Sequence, residues 1–509
     1  MKILKFLFSK IFISALALLI QAVLIIMILM FFETYVVLFQ VFNAILGILI
    51  ILFIINKKES PEFKLPWLVI ILVLPFFGLV IYCMFANSKM PIKQYRQMVE
   101  IACRCKKYSE ICESENAKIN GFLGDYCGIE SYLRRNAFSR GHLGNKVEYF
   151  SIGEKFYADL LTELEKAEKF IFMEYFIIDH GKMWESIHDI LLKKVREGVE
   201  VRVMYDDIGT AGLLKSSYRK KLIKEGLNCR KFNPFLPVVS GIHNNRDHRK
   251  ITVIDGKVAY TGGVNIADEY INAKNRFGHW KDTAVKICGS AVGNLTQLFL
   301  QMFDAGRTAD TDYEKYLGVP YETYGDGGYI HPFGDGPKPY YKEQVGANNY
   351  INIINSARDY VYISTPYLIP DYNIISALRN AAMRGVDVRI ITPHRPDKKI
   401  IFNMTRSNYK YLLEAGVKIY EYTPGFIHAK SAVADGQIAF VGTINLDYRS
   451  LVHHYECGVT LVKAPCIADI KSDFDETLAL SQKITSDNFK MGFLASFVNS
   501  VLNLFSPML

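Results

Sequence analysis

The chain has 509 residues, room for about three domains at roughly 150 residues each. Hydrophobic residues make up 50%, charged residues 22%, and the formal net charge is +9. This composition excludes a disordered chain, a collagen and a coiled coil.

The apolar residues crowd the N-terminus. Between residues 11 and 56 the only charged side chain is Glu33, and residues 65–86 carry none. A crossing helix needs about 20 apolar residues, so three membrane spans are expected near 11–32, 34–56 and 65–86. A cleaved signal peptide fits the first run poorly, because its apolar core is too long and no small-residue cleavage site follows. Within the first 88 residues, Lys2, Lys5, Lys10, Lys57, Lys58 and Lys64 outweigh Glu33, Glu59 and Glu62. The remaining positive surplus is spread thinly. That is no nucleic-acid signature and suits work beside an anionic lipid surface. The lysines around the first two spans place the later domains outside. The nine cysteines, an odd number without framework spacing, suit a reducing interior, so the sequence assigns no side. Cys103, Cys105, Cys112 and Cys127 cluster, yet no histidine completes a zinc spacing, and free thiols are expected.

Residues 89–150 read as a helical connector. Beyond them the chain alternates strand and helix, and does so twice. A strand at 170–178, a helix at 183–197 and the strand VEVRVMY at 199–205 are answered by YVYISTP at 360–366, a helix near 374–384 and VDVRIIT at 386–392. GVEVR at 198–202 and GVDVR at 385–389 are near copies. The repeat predicts a duplicated α/β domain with mainly parallel sheets.

The sharpest feature also occurs twice. Residues 248–265 read HRKITVIDGKVAYTGGVN and residues 428–445 read HAKSAVADGQIAFVGTIN. His248, Lys250, Asp255, Gly262 and Asn265 share offsets with His428, Lys430, Asp435, Gly442 and Asn445. Asp-Gly between alternating apolar residues predicts a hairpin. Period two places each histidine and its lysine on one face of a strand. A lone strand histidine is usually core or surface, and turn geometry alone explains much of Asp255, Asp435 and the glycines. Joint recurrence at fixed offsets in two diverged halves defeats that reading. Two such hairpins around one cavity suit a phosphodiester. Lysine and asparagine would hold the non-bridging oxygens. One histidine would attack phosphorus and the other protonate the leaving oxygen.

At these residues the chain resembles the phospholipase D superfamily, whose signature is HxKxxxxD followed by a glycine-containing turn and an asparagine. The resemblance covers residues from about 150 to the end. It implies two phospholipase D-like domains, 151–325 and 326–509, sharing one active site behind the N-terminal helices. It implies His248, Lys250, Asp255, His428, Lys430 and Asp435 as catalytic residues and Asn265 and Asn445 as phosphate ligands. One histidine would form a phosphohistidine, and no metal or other cofactor is implied. No carboxylate or histidine cluster with ligand spacing stands near the motifs in the sequence. Asp282 in HWKDT and Glu456 in HHYE match the acids that orient the motif histidines, each taken with the histidine upstream of it.

Within the superfamily the chain is similar to the bacterial cardiolipin synthase family. The similarity lies in residues 60–85, in FGHWKDTAVKICGSAV at 277–292 and in NLDYRSL at 445–451 with YE at 455–456. Two features depart: that family commonly has one span fewer, and an asparagine where His454 stands. The resemblance implies a multi-pass protein of the bacterial cell membrane that joins two phosphatidylglycerol molecules into cardiolipin and glycerol. Its partners would be phosphatidylglycerol and anionic lipids, not nucleic acid. A membrane-bound hydrolase using water, and an inactive membrane-anchored binding protein, are the rival readings. The intact motifs argue against the latter. Finally, Leu494, Phe497, Val498, Val501, Leu502 and Phe505 repeat at helical spacing opposite Ser496, Asn499, Ser500 and Asn503. This predicts a C-terminal amphipathic helix, packed on the second domain or lying at a membrane interface.

Overall fold

The computed structural model describes residues 33–86, 90–234, 244–305, 311–325, 327–485 and 492–508, with isolated positions between 16 and 27. It divides into two compact units. One holds the described residues before 90 and the C-terminal helix; the other holds 90–234 and 246–492.

In the first unit, helix Glu33–Ile55 matches the second expected span. Among the described residues, its segment Val37–Ile55 is the one stretch long and apolar enough to cross a membrane. The first expected span lies largely outside the described residues. The third does not form as a single helix. It is two helices, Pro61–Val73 and Pro75–Phe85, broken at Leu74. Pro75 lacks an N–H and its ring drives the preceding residue out of helical geometry; Leu74 has φ −138° and ψ 77°. At 1.5 Å per residue the two pieces reach roughly 20 and 17 Å, short of a hydrocarbon core of about 30 Å. A Cβ on Gly78 would lie 2.8 Å from Cα of Ile71, so the chain doubles back with bare glycine against the preceding helix. Ile50, Ile54, Trp67, Ile71 and Tyr82 fill the core of this unit, and Met508 packs on it. The C-terminal helix Phe493–Phe505 therefore belongs with the N-terminal unit, not with the second repeat. Its Phe497, Val498 and Val501 point outward while Asn499 is buried.

The second unit contains two mixed sheets of like design. The first runs Lys146–Phe150, Ala284–Cys288, Val258–Gly262, Lys250–Ile254, Phe170–Tyr175, Glu200–Asp206, Asn228–Phe232. The second repeats that order as Tyr329–Asp335, Glu456–Val462, Ile438–Gly442, Ser431–Ala434, Tyr360–Ser364, Asp387–Pro393, Lys418–Tyr422, with His142–Leu143 and Ser481–Ile484 added at its edges. Only the last three strands of each common set are parallel. The expectation of mainly parallel sheets fails because the two strands of the Asp-Gly hairpin and the strand beside them join antiparallel.

The two sheets meet where Val258–Gly262 packs near Ile438–Gly442. Helix Val292–Asp304, buried on almost every side, packs against strands of both sheets. The expected connector does not stand apart. Its helices bury Met98, Ile101, Leu123 and Leu133 in the core shared by both repeats, and residues 142–150 supply edge strands to both sheets. All nine cysteines are free thiols.

Candidate active site

Both hairpins form as expected. Asp255 and Gly256 turn at φ 53° and 67°, and Asp435 and Gly436 at φ 52° and 64°. Two consecutive positive φ values are the type I′ turn that matches strand twist. The aspartates do more than turn, though not at the catalytic end. Asp255 accepts backbone N–H bonds from Glu168, Lys169 and Phe170 at 2.8, 2.7 and 2.8 Å. Asp435 takes the same bonds from Arg358, Asp359 and Tyr360 at 2.7, 3.0 and 2.8 Å. Seven residues of extended chain, roughly 20 Å, separate each aspartate from its motif histidine. There they clamp the start of the neighbouring strand.

The histidines are held across the repeats. His248 donates its N–H to the carbonyl of Tyr455 at 2.9 Å, and Tyr455 returns one to Arg246 at 2.8 Å. In the other half, Gly425–Ile427 pairs in parallel with His279–Lys281, and His428 donates to the carbonyl of Lys281 at 2.7 Å. Each acid follows directly on these crossing residues. The pairing of acids is consequently exchanged relative to the sequence reading. His248 Nδ1 meets the Glu456 oxygens at 2.9 and 3.0 Å, and His428 Nδ1 meets Asp282 Oδ2 at 2.6 Å. With the carboxylates ionised they can only accept, which assigns the proton to Nδ1 and leaves the Nε2 lone pair free.

Both acids are fully buried and individually braced. Glu456 receives hydrogen bonds from Ser450 Oγ at 2.5 Å and from Thr443 Oγ1. Asp282 accepts the N–H of Thr283 at 2.8 Å and lies so close to Gly263 that a Cβ there would stand 2.0 Å from Oδ1. Gly262 and Gly442 have a packing reason of the same kind: a Cβ would meet Thr283 O at 2.3 Å and Cys457 O at 2.6 Å. Ser450, Thr443 and Gly263 were missed as functional candidates. Ser450 lies within the NLDYRSL block, but nothing in its spacing showed where its hydroxyl points.

Lys250 Nζ donates to the carbonyl of His248 at 2.6 Å, and Lys430 Nζ donates to that of His428. Lys430 Nζ also lies 2.7 Å from His428 Nδ1, where it adds charge to a nitrogen whose proton goes to Asp282. Burial and then the lysines hold both histidines well below the usual imidazole range. Burial likewise brings Lys250 down to about 8 and Lys430 down to about 7. It pushes Asp282 up to about 7, against the pull of Lys430. Asn265 is buried with Oδ1 accepting from Ile177 N–H at 3.0 Å and Nδ2 donating to Tyr270 Oη at 2.7 Å. Asn445 is buried too, and its Oδ1 has no hydrogen-bond partner. Tyr270 and Trp280 stand against the His428 ring, and Phe176 and His454 against that of His248.

The sequence showed no ligand cluster near the motifs, and here the structure differs. His248, His454 and Glu456 place one ligand atom each within 4.8 Å of one another. The group was invisible because 206 residues separate its first two members.

The comparisons agree with this architecture. The "Cardiolipin synthase, PLD-like domain" family matches residues 160–286 and 350–478, and the "Phospholipase_D-nuclease N-terminal" family matches 45–86. A cardiolipin synthase of Alkalihalophilus pseudofirmus is 35% identical over 92% of this chain and 92% of its own. An uncharacterised Streptococcus mutans protein is 42% identical over 90% of this chain and 99% of its own. The crystal structure of phosphatidylserine synthase from Haemophilus influenzae shares the fold, with a TM-score of 0.56 at 13% identity, covering 75% of this chain and 100% of that one. With doubled HxK motifs on doubled sheets, and relatives aligned along nearly their whole length, the chain belongs to the cardiolipin synthase family, phosphatidyltransferases of the phospholipase D superfamily.

Proposed function

We propose that this enzyme transfers a phosphatidyl group from one phosphatidylglycerol to the free hydroxyl of another, giving cardiolipin and glycerol through a phosphohistidine. The observation that carries the reading is the crossed bracing of the two histidines. Glu456 of the second repeat holds His248 of the first, and Asp282 of the first holds His428 of the second. Neither repeat has a complete histidine–acid pair alone, so both histidines serve one reaction.

We assign attack to His248 and acid–base work to His428. Nε2 of His248 attacks the donor phosphorus, and the bond from phosphorus to the glycerol oxygen breaks. His428, protonated at Nε2, gives that oxygen its proton. An anionic phosphodiester entering the site favours the protonated imidazole that burial alone disfavours. Lys250 and Lys430 balance the charge gathering on the phosphoryl oxygens, and Asn265 and Asn445 orient it. The neutral His428 then takes the proton of the second lipid's hydroxyl. That oxygen displaces His248 from phosphorus, and the enzyme returns to its starting state. Helix Val37–Ile55 and the short hairpin after it would anchor the chain in the bacterial cell membrane, with the exposed apolar face of the C-terminal helix in lipid.

The test is to incubate purified protein with phosphatidylglycerol labelled in its headgroup and acyl chains, in mixed micelles. Cardiolipin and free glycerol in equal amounts are expected. Phosphatidic acid as the main product would make the enzyme a hydrolase, and no turnover would leave the site unused.

A further inference from the structure

We infer that His248, His454 and Glu456 form a binding site for a zinc-class divalent cation, and that loading it silences the enzyme. The inhibitory half rests on the proposed role of His248; the binding half does not.

The geometry is close to what such an ion needs. Tetrahedral zinc with bonds near 2.0–2.1 Å spaces its ligand atoms about 3.3 Å apart. His248 Nδ1 stands 2.9 Å from Glu456 Oε1, and His454 Nδ1 stands 3.6 Å from the same oxygen. All three ligand atoms lie within 4.8 Å of one another, so small side-chain rotations close the set. Glu456 is fixed by Thr443 and Ser450. His454 has the opposite condition: neither ring nitrogen has a hydrogen-bond partner, although the side chain is only 11% exposed. Among the described residues, the one polar contact of the ring nitrogens, Nδ1 to Glu456 at 3.6 Å, is too long for a hydrogen bond, and a largely enclosed imidazole served so poorly costs free energy unless something else meets it. Two imidazoles and one carboxylate are borderline donors that suit zinc, whereas calcium and magnesium prefer oxygen alone. Three protein ligands also leave a fourth position for water.

The consequence for catalysis follows from the tautomer. As the metal takes Nδ1 of His248, the proton there moves to Nε2. The lone pair that attacks phosphorus is then used for an N–H bond, and Glu456 no longer accepts from the ring. No net proton is released, and withdrawing the ion reverses the change.

The experiment uses the full chain in detergent micelles, stripped with chelator, with His454→Asn and His454→Gln beside the wild type. Zinc binding is read by equilibrium dialysis, and the ligand set by the visible spectrum of the cobalt-loaded protein. Wild type should bind zinc in a 1:1 ratio, and both variants should bind at least about tenfold more weakly. Each protein's transfer rate is divided by its own rate in chelator; stoichiometric zinc should abolish that ratio in wild type and spare it in the variants. Absence of zinc binding by folded wild type, or equal affinity in folded variants, overturns the site. Binding as expected with no loss of transfer overturns the inhibition alone. A wild type with no transfer even in chelator rejects the proposed function, while dialysis and the cobalt spectrum still decide the site.

Discussion

Asp282 lies in the first repeat and His428 in the second, yet the carboxylate accepts the Nδ1 proton of that histidine at 2.6 Å. The bond exists because the residues just before Asp282 leave their own sheet to pair with those just before His428. A duplicated fold has thereby become one indivisible site.

Gly263 gives the most direct test of that bond. Gly263→Ala would place a methyl group 2.0 Å from Asp282 Oδ1, so the acid must move. We expect Gly263→Ala and Asp282→Asn to lower cardiolipin synthesis alike, on the order of 10²-fold or more, with the melting temperature of each measured as a check on folding. Normal synthesis by folded Gly263→Ala would show that His428 needs no bracing.

Asp255 and Asp435 should behave otherwise. Asp255→Ala leaves three backbone N–H groups without their acceptor, at a cost of about 1–3 kcal/mol. Asp435→Ala should cost less, since the N–H groups it serves are more exposed. Synthesis per folded molecule should stay within about threefold of wild type in both, because neither side chain reaches the phosphoryl group. An unchanged melt with a hundredfold loss of activity would return these residues to the catalytic set.

These contrasts show where sequence reading works. The hairpins were legible because Asp-Gly between alternating apolar residues encodes a turn locally, and the repeat was legible because its offsets recur. The partners of Asp255, the exchange of Asp282 and Glu456, and the approach of His454 to His248 arise from chain segments 85 to 208 residues apart, which no local pattern records. The break at Leu74 had a local signal in Pro75, overridden in the reading by an unbroken apolar run.

The pH dependence should be bell-shaped. His248 must be neutral to attack, and burial with the nearby lysines depresses its proton affinity, so kcat/KM should not fall until the pH drops below the ordinary imidazole value of about 6.5. On the alkaline side two losses combine: His428, whose proton affinity burial and the lysines also depress, gives up the proton it must donate, and Lys430 and Lys250 lose theirs as pH rises through about 7 and about 8, removing the charge that receives the phosphodiester. Lys430→Arg, which stays protonated, should move the alkaline limb upward. A limb that does not move in that variant would assign it to another group.

Synthesis should survive exhaustive chelation. Two buried lysines beside the histidines supply the positive charge that metal-dependent phosphoryl transfer takes from a cation. Activity lost on chelation and restored by one divalent ion would contradict this, and the zinc site makes the opposite response expected: a rate that holds or rises as trace metal is removed.

The roles of the two histidines can be separated by the leaving group. Glycerol leaves as an alkoxide of high pKa and needs an acid, whereas a nitrophenoxide needs little protonation. With a phosphatidyl nitrophenyl donor, His428→Ala should still form the phosphohistidine and accumulate it, because resolving the adduct requires a base to deprotonate the incoming hydroxyl. His248→Ala should form none. The crossed bracing extends the test to the acids: Glu456→Gln should slow adduct formation, since it disturbs His248, while Asp282→Asn should let it proceed and stall. The adduct is read by acid-quench trapping and peptide mapping at His248. An adduct on His428 in the His248→Ala protein, with Asp282→Asn now the slow variant, would reverse the assignment and keep the shared site intact.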